Sequence, residues 1–252
     1  MRMKTTKKLL ATSLAAMAMA LFSMPAQAQD KVEEFGIFDH LSAGLTLGTT
    51  GIGIDLAAPV TEYLQVRAGY NFCSGIKYKE DIDYRAKGQP TKKTEVEGKL
   101  HLGTAKLLLD VFPFRNTPFH FTTGFYIGTD EIIKAENTIP VTAFDKGEGI
   151  LIGDYIVEFD QDGIAKATIK VNKFRPYVGI GFGRSVPRKR IGVSGDLGVM
   201  FWGKPKLYEK QTGMDLEVTK SDLGSDSDKY FDIMSKITVY PALTIRICGR
   251  IF

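Results

Sequence analysis

Apolar and polar positions alternate over the last stretch of the chain. From residue 237 to the final phenylalanine, Ile237, Val239, Leu243, Ile245, Ile247 and Ile251 share one parity. Thr238, Thr244, Arg246 and Arg250 take the other. A period of two is that of a strand with one greasy and one polar face. The same period recurs upstream and predicts strands at 38–47, 51–57, 64–72, 99–112, 119–128, 174–183, 191–202 and 237–252. In 119–128, Phe119, Phe121, Phe125 and Ile127 alternate with His120, Thr122, Gly124 and Tyr126; in 191–202, Leu197, Val199 and Phe201 alternate with Asp196, Gly198 and Met200. The stretch 99–112 fits least. Leu107, Leu109 and Val111 share a parity, whereas Leu100, Leu102 and Leu108 hold the other. A bulge near Gly103, or an extension beyond the membrane, accommodates Leu100 and Leu102; the pattern offers no place for Leu108.

The connections are informative in their lengths. Those after the second, fourth and sixth strands are short and each holds a proline, the last of them running Ser185-Val-Pro-Arg-Lys-Arg190. The alternate ones, 73–98, 129–173 and 203–236, are long and rich in Lys, Glu, Asp and Gly, with the brief 48–51 link as the exception. Short turns at one end and long polar loops at the other is the asymmetry of a transmembrane β-barrel. The fold expected is therefore all-β, an eight-stranded antiparallel up-and-down transmembrane barrel with short periplasmic turns and long extracellular loops. Two further strand-like runs, 150–159 and 165–171 about Asp160-Gln-Asp-Gly163, predict a hairpin above the membrane; counting them in gives a ten-stranded alternative.

The parity that carries Asp55, Arg67, Lys106, Asp110, Asp196 and Arg246 decides which face looks inward. Charges in mid-strand belong in a packed lumen where they pair, and eight strands leave a lumen that side chains fill. The partner face, with Leu197, Phe121, Phe125, Ile245 and Ile247, is expected to meet lipid. On this reading Leu197→Arg blocks insertion and Gly198→Ser is tolerated.

Composition agrees. The chain has 252 residues, net charge +4, 44% hydrophobic content, 11% aromatic content and 26 glycines. It opens with Arg2, Lys4, Lys7 and Lys8, an apolar run over 9–22, and Ala26-Gln27-Ala28. This is the layout of a secretory signal over 1–28 with a small-residue cleavage site, leaving a barrel domain over 29–252 that begins at Gln29. The apolar run, about 14 residues, falls short of the roughly 20 that a spanning helix needs.

The amphipathic last strand ending on Phe252 resembles the closing strand of bacterial outer-membrane β-barrels. That resemblance implies that Phe252 acts as an assembly signal read by the barrel-assembly machinery. Ile251 rather than Phe252 holds the lipid-facing parity, so a bulge near Cys248–Gly249 or a flipped last residue is expected. The stretches Asn172-Lys-Phe-Arg-Pro-Tyr-Val-Gly-Ile-Gly-Phe-Gly-Arg184 and Leu108-Leu-Asp-Val-Phe-Pro-Phe114 resemble outer-membrane barrel proteins of the Bacteroidetes type, over nearly all of the mature chain. The resemblance implies a place in the cell outer membrane, contact with its lipids, and adhesion, surface stability or interaction as the role.

Candidate chemistry is thin. Gly179-x-Gly181-x-Gly183 lacks the helix that a nucleotide loop needs and reads as small lumen-facing residues. Of the histidines, His40 and His120 fall toward the periplasmic ends and only His101 near the outer rim, where a lipid-modifying enzyme would need one beside Ser or Asp. Cys73 and Cys248 lie a membrane thickness apart and are expected to be free. Asp222, Asp226 and Asp228 lack the spacing of a calcium loop. Lys92-Lys93 and Arg188-Lys189-Arg190 either meet lipid phosphates or are ordinary surface charge. No catalytic residue, cofactor, metal site or nucleic-acid partner is assigned. The reading is a barrel with a packed lumen and a structural or surface-recognition role through its outer loops, with an unidentified extracellular partner. A lipid-acting enzyme, a narrow channel and a soluble carrier with a greasy lumen are the alternatives.

Overall fold

The computed structural model describes residues 36–85, 92–142, 147–152, 155–211, 214–218 and 237–252. The expected signal segment 1–28 and the run Asp222, Asp226, Asp228 lie outside the described residues. The strands are β1 (Ser42–Gly48), β2 (Gly51–Thr61), β3 (Leu64–Arg85), β4 (Lys92–Val111), β5 (Phe119–Gly128), β6 (Glu131–Asn137), β7 (Gly149–Ile152), β8 (Tyr155–Glu158), β9 (Lys166–Lys170), β10 (Phe174–Phe182), β11 (Ile191–Phe201), β12 (Lys206–Gln211), β13 (Met214–Val218) and β14 (Val239–Arg250).

Eight of these close an antiparallel barrel in the order β1-β2-β3-β4-β5-β10-β11-β14, and β14 returns to β1 with Leu45 opposite Ile247. Closure pairs the backbone groups of both would-be edges, which a sheet in hydrocarbon requires. Each of the eight corresponds to a stretch where the sequence alternates. The faces also fall as the alternation predicts. Leu45, Ile54, Tyr70, Phe121, Ile180, Leu197 and Ile247 are between 46 and 65% exposed on the outside. An apolar belt of this extent would be unstable in water and suits lipid tails. Trp202 and Tyr240 pack 4.8 Å apart on the inward parity, beside the buried clusters, and Phe125 pairs with Phe174 at 5.3 Å at one rim of the belt. Tyr63, Phe114 and Phe252 stand exposed at the other.

The described residues of the long connections are largely strand. β3 and β4 run on past the belt as one hairpin, pairing from Leu64↔Val111 to Tyr84↔Lys92. β6, β9, β12 and β13 add to the β4 side of this hairpin, and β7 and β8 to the β3 side. The result is a second sheet, a cap, over one mouth of the barrel. Its ends curl toward each other, and the Glu158 amide at the β8 end donates to Glu209 of β12 at 2.6 Å. Inside lie Val96, Ile150, Val157, Phe159 and Ala165, an apolar core separate from the barrel's. Outside, charges replace the apolar belt on the same strands: Lys77 faces Glu97 at 3.2 Å and Lys79 faces Glu95 at 2.8 Å. Such exposed pairs add little stability. They show where the hydrocarbon surface ends.

Several expectations are corrected. The run 150–159 is itself the β7–β8 hairpin, while 165–171 supplies β9, which pairs with β6 and β12. Asp160–Gly163 does form a turn, with the Gly163 amide on the Asp160 carbonyl at 2.9 Å, but it joins strands that are not neighbours. The bulge anticipated near Gly103 lies across the ladder in β3, between Ser74 and Ile76, where the strand leaves the belt. Leu102 does sit beyond the belt, buried with Ile132 and Val171 at the junction of barrel and cap. Near the C-terminus no bulge occurs: β14 keeps register through Gly249 and Arg250, and Phe252 follows the strand's end, 64% exposed. Gly198 is not a tolerant site. A Cβ there would lie 2.5 Å from the Tyr177 hydroxyl and 2.4 Å from the Val178 carbonyl oxygen, because the Tyr177 ring lies across it.

Leu197→Arg should therefore place a charge on the belt at a cost of about 2–4 kcal/mol if it lies near the bilayer midplane, read as loss of the folded band on an unheated gel. Nitroxide labels at Leu197 and Phe121 in liposomes should relax with oxygen and not with a water-soluble nickel chelate. Labels shielded from both would show an apolar interior facing away from lipid.

Candidate functional site

The lumen is filled in layers. Nearest the short turns lies an ionic layer built by inward positions of seven strands. Arg67 on β3 is its centre. Its guanidinium donates to both oxygens of Asp196 on β11, at 2.8 and 3.0 Å, and to Asp110 on β4 at 2.7 Å. Bidentate pairing of this kind is the strongest geometry a guanidinium offers a carboxylate. Thr122 on β5 donates to Asp110 at 2.9 Å, and His120 on the same strand places Nε2 2.9 Å from Asp196. Beside it is a second group. Arg246 on β14 donates to Asp55 on β2 at 2.6 Å, and the Lys106 ammonium lies 3.1 Å from the other Asp55 oxygen. That last contact is an ion pair without directed hydrogen-bond geometry, since the Asp55 Oδ2 atom has no hydrogen-bond partner.

The structure thus brings together all six residues expected in the lumen: Asp55, Arg67, Lys106, Asp110, Asp196 and Arg246, none more than 5% exposed. Three carboxylates meet three cations, so the buried layer is neutral when His120 is neutral. β10 contributes Gly181 here. A Cβ at that position would lie 2.3 Å from His120 Nε2 and 2.6 Å from an Asp196 oxygen, so only glycine leaves room for the pair.

A plug closes the turn end. The connection between β10 and β11 folds into the barrel mouth and buries Ser185 and Val186 completely. Ser185 links the two ionic groups: its hydroxyl donates to Asp110 at 2.5 Å, and its carbonyl accepts from Arg246 at 2.6 Å and from Ser42 at 2.6 Å. The Val186 amide donates to Gln65 at 3.0 Å. Above the ionic layer comes an apolar one of Leu108, Tyr126, Tyr177, Met200 and Ala242. Leu108, which the alternation could not place, is a lumen residue, 3% exposed, that packs where charges would lack partners. Toward the cap, Asn71 donates to Thr50 at 2.7 Å, and Arg175 donates to the carbonyls of Asn172 and Thr129.

Several lumen residues were not anticipated as members of the network. The sequence places His120 toward the periplasmic end, and its inward parity, shared with Thr122, is the signal for its membership. Arg175 also shows by parity alone. Ser185 carries no such signal, because nothing in a six-residue turn tells that it folds inward.

Asp110, His120 and Asp196 offer ligand atoms within 4.8 Å of one another. The Arg67 guanidinium already bonds both carboxylates, and a metal ion would have to sit against that charge. The set reads as an ion-pair network and not as a metal centre. His101 packs edge-on to Phe72 with ring centroids 5.6 Å apart, and His40 lies 3.5 Å from Asp39 at the turn end. Cys73 and Cys248 are free.

In the cap, the Asp160 carboxylate closes its own turn. It accepts from the Ile164 amide at 2.9 Å, the Asp162 amide at 3.0 Å and the Lys166 ammonium at 2.6 Å. Burial pushes this carboxyl up, but the ammonium and the two amides outweigh it and hold it below the usual carboxylate range.

No protein-family model matches the sequence, and neither does any curated protein. Among solved structures, the fold is similar to Acinetobacter baumannii CarO2, with 18% identity, 86% of this chain and 99% of that chain covered, and a TM-score of 0.50. Acinetobacter baumannii CarO aligns at 16% identity over 88% of this chain and 99% of that one, TM-score 0.48. A major outer membrane protein of Thermus thermophilus aligns at 18% identity over 86% and 98%, TM-score 0.39. The first of these likenesses shows a shared eight-stranded barrel fold.

Removing Arg67 should expose how much the lumen depends on it. Arg67→Met leaves Asp110 and Asp196 buried without their cation and should cost about 3–5 kcal/mol, read by urea unfolding of the micelle-bound protein. In the cap, a folded-state pKa below the unfolded one gives stability that is present above the unfolded value and lost as pH falls through the folded value. Amide exchange at Ile164 and Asp162 should accordingly accelerate as the pH drops below the ordinary carboxylate range, and Asp160→Asn should remove that pH dependence.

Proposed function

We propose that the protein is an outer-membrane barrel that does not conduct, and that it holds a folded β-cap at the cell exterior for structural or recognition roles. The observation that carries this reading is the continuity of β3 and β4 from the ionic layer of the lumen to the top of the cap. The buried ionic layer and the apolar layer stacked on it support a closed barrel. The reversal from apolar to charged side chains along the same two strands supports a cap that stands clear of the bilayer. The apolar belt, the closed antiparallel ladder and the short turns at one end support the outer membrane as its location. Asp110, His120 and Ser185 are spent on one another and on Arg67, which supports a non-enzymatic role. A surface-adhesion role like that implied by the Bacteroidetes-type resemblance fits the cap's polar exterior, with a partner yet to be identified.

Two measurements test this. In planar bilayers the purified protein should show no steady openings; a stable conductance of porin size would replace this reading with a channel. In a Cys73→Ser, Cys248→Ser background, Lys134→Cys on the cap should react with a membrane-impermeant maleimide on intact cells, and Lys189→Cys at the turn end should not. The reverse labelling would put the cap inside the envelope and overturn the recognition role.

A further inference from the structure

Three arginines gather at the turn end of the barrel. Arg115 belongs to the connection between β4 and β5, and Arg184 and Arg188 to the plug between β10 and β11. The Arg184 and Arg188 guanidiniums both donate to the Arg115 carbonyl, at 2.6 and 2.8 Å, so they lie within two hydrogen-bond lengths of each other. Arg184 is held against the Phe112 ring at 4.6 Å. The Arg115 guanidinium pairs with Glu62 at 2.5 Å. Glu62 is also the acid whose charge reaches Arg184, so Arg115 and Arg184 share one carboxylate. Two donor atoms remain without a hydrogen-bond partner although they are shielded from solvent, Arg184 Nη1 and Arg188 Nε. Burial, and then the neighbouring Arg188, push the Arg184 guanidinium down to about 10.

Buried guanidinium donors without acceptors are costly, and like charges brought together add to that cost. The fold nevertheless holds them in place. Ser185 and Val186 anchor the plug inside the barrel, which leaves Arg184 and Arg188 on either side of it no freedom to swing apart. Arg184 and Arg188, held in place and each with a donor atom short of an acceptor beside the part-exposed Arg115 side chain, have the chemistry of an oxyanion site.

We propose that Arg115, Arg184 and Arg188 bind one phosphate-class oxyanion at the turn end of the barrel. Several oxygens on one centre can accept from separate guanidiniums at once, which a single chloride cannot do. At this level of the barrel the anion comes either from a lipid headgroup or from soluble phosphate. The neighbouring Lys189 and Arg190 are exposed.

The test uses the full barrel in nonionic detergent. Inorganic phosphate, phosphatidylglycerol and acetate are each titrated at constant ionic strength, with binding read by calorimetry and by native mass spectrometry. Phosphate and phosphatidylglycerol should bind at one site, acetate should not, and Arg184→Gln with Arg188→Gln should weaken binding by roughly tenfold or more. Lys134→Gln on the cap, where Lys134 pairs with Glu131, should leave it unchanged. Tighter retention of phosphatidylglycerol than of phosphate identifies the lipid headgroup as the source, and equal affinity identifies the soluble anion. Folding of each variant is checked by gel mobility before and after heating. Should the double variant fail to fold, Arg188→Gln alone provides the comparison. Binding that is indifferent to these arginines, or acetate matching phosphate, overturns the proposal.

Discussion

The barrel depends on the neutralisation of charge at Arg67. A closed sheet could in principle form with either face inward, and a shift of one residue in any strand exchanges the faces. The ionic layer removes that freedom. Arg67, Asp110, Asp196, Asp55, Lys106 and Arg246 come from five strands, and their inward placement fixes five registers at once. A slip of one residue would move a charge into hydrocarbon and leave its partner alone in the lumen. Each error would cost several kcal/mol, more than any single apolar contact of the belt could offset. Buried ion pairs are seldom net stabilisers compared with apolar packing. Their contribution here is to make the intended register the only one in which all six charges are paired.

The layers above and below follow from the same constraint. A network of full charges cannot tolerate partial hydration that splits its pairs, so both ends must be covered. At the turn end the plug does this with Ser185, whose hydroxyl and carbonyl join the two ionic groups. Toward the cap, Tyr126 and Tyr177 pack edge-to-face with centroids 5.5 Å apart, and the Tyr177 ring lies over the inward face of Gly198. Large rings over glycines fill an eight-stranded lumen without forcing the strands apart. The same large-over-small packing makes substitution at Gly198 costly, although on its strand alone it looks like the least demanding position.

The strands, the two faces and the charged lumen set were legible in the sequence, since a period of two needs no tertiary information to be seen. The parts that stayed hidden have physical causes. Leu108 looked anomalous because a lumen was assumed to be polar throughout, whereas a layered one needs apolar positions between its polar zones. The long connections look like loops in sequence because their Lys, Glu and Asp resemble solvated surface. In the cap those charges occupy one face of strands whose other face holds Val96, Ile150 and Val157. Short strands such as β7 and β8 have four residues each, too few for alternation to stand out from chance. Ser185 was out of reach for another reason. Its role comes from the path of the backbone, and six residues with a proline are compatible with turns that fold inward or outward.

The continuity of β3 and β4 bears on how the cap can act. Flexible loops on a barrel lose conformational entropy whenever they bind, about 1–2 kcal/mol for each residue whose backbone is fixed. The cap has met that cost in folding: its strands are hydrogen-bonded, it has its own core, and its junction with the barrel is packed by Leu102, Ile132 and Val171. A partner docking on this surface meets a preformed sheet, so a small contact area can suffice for useful affinity. The rigidity also limits what the cap can do. A sheet that shares two strands with the barrel wall cannot swing aside to open the lumen without breaking the β3–β4 ladder or the packing at the junction. Gating by the cap is thus disfavoured by the same bonds that hold its surface in place, and the residues able to vary without harm to the fold are the outward ones, Lys77, Lys79, Lys134 and Lys206 among them.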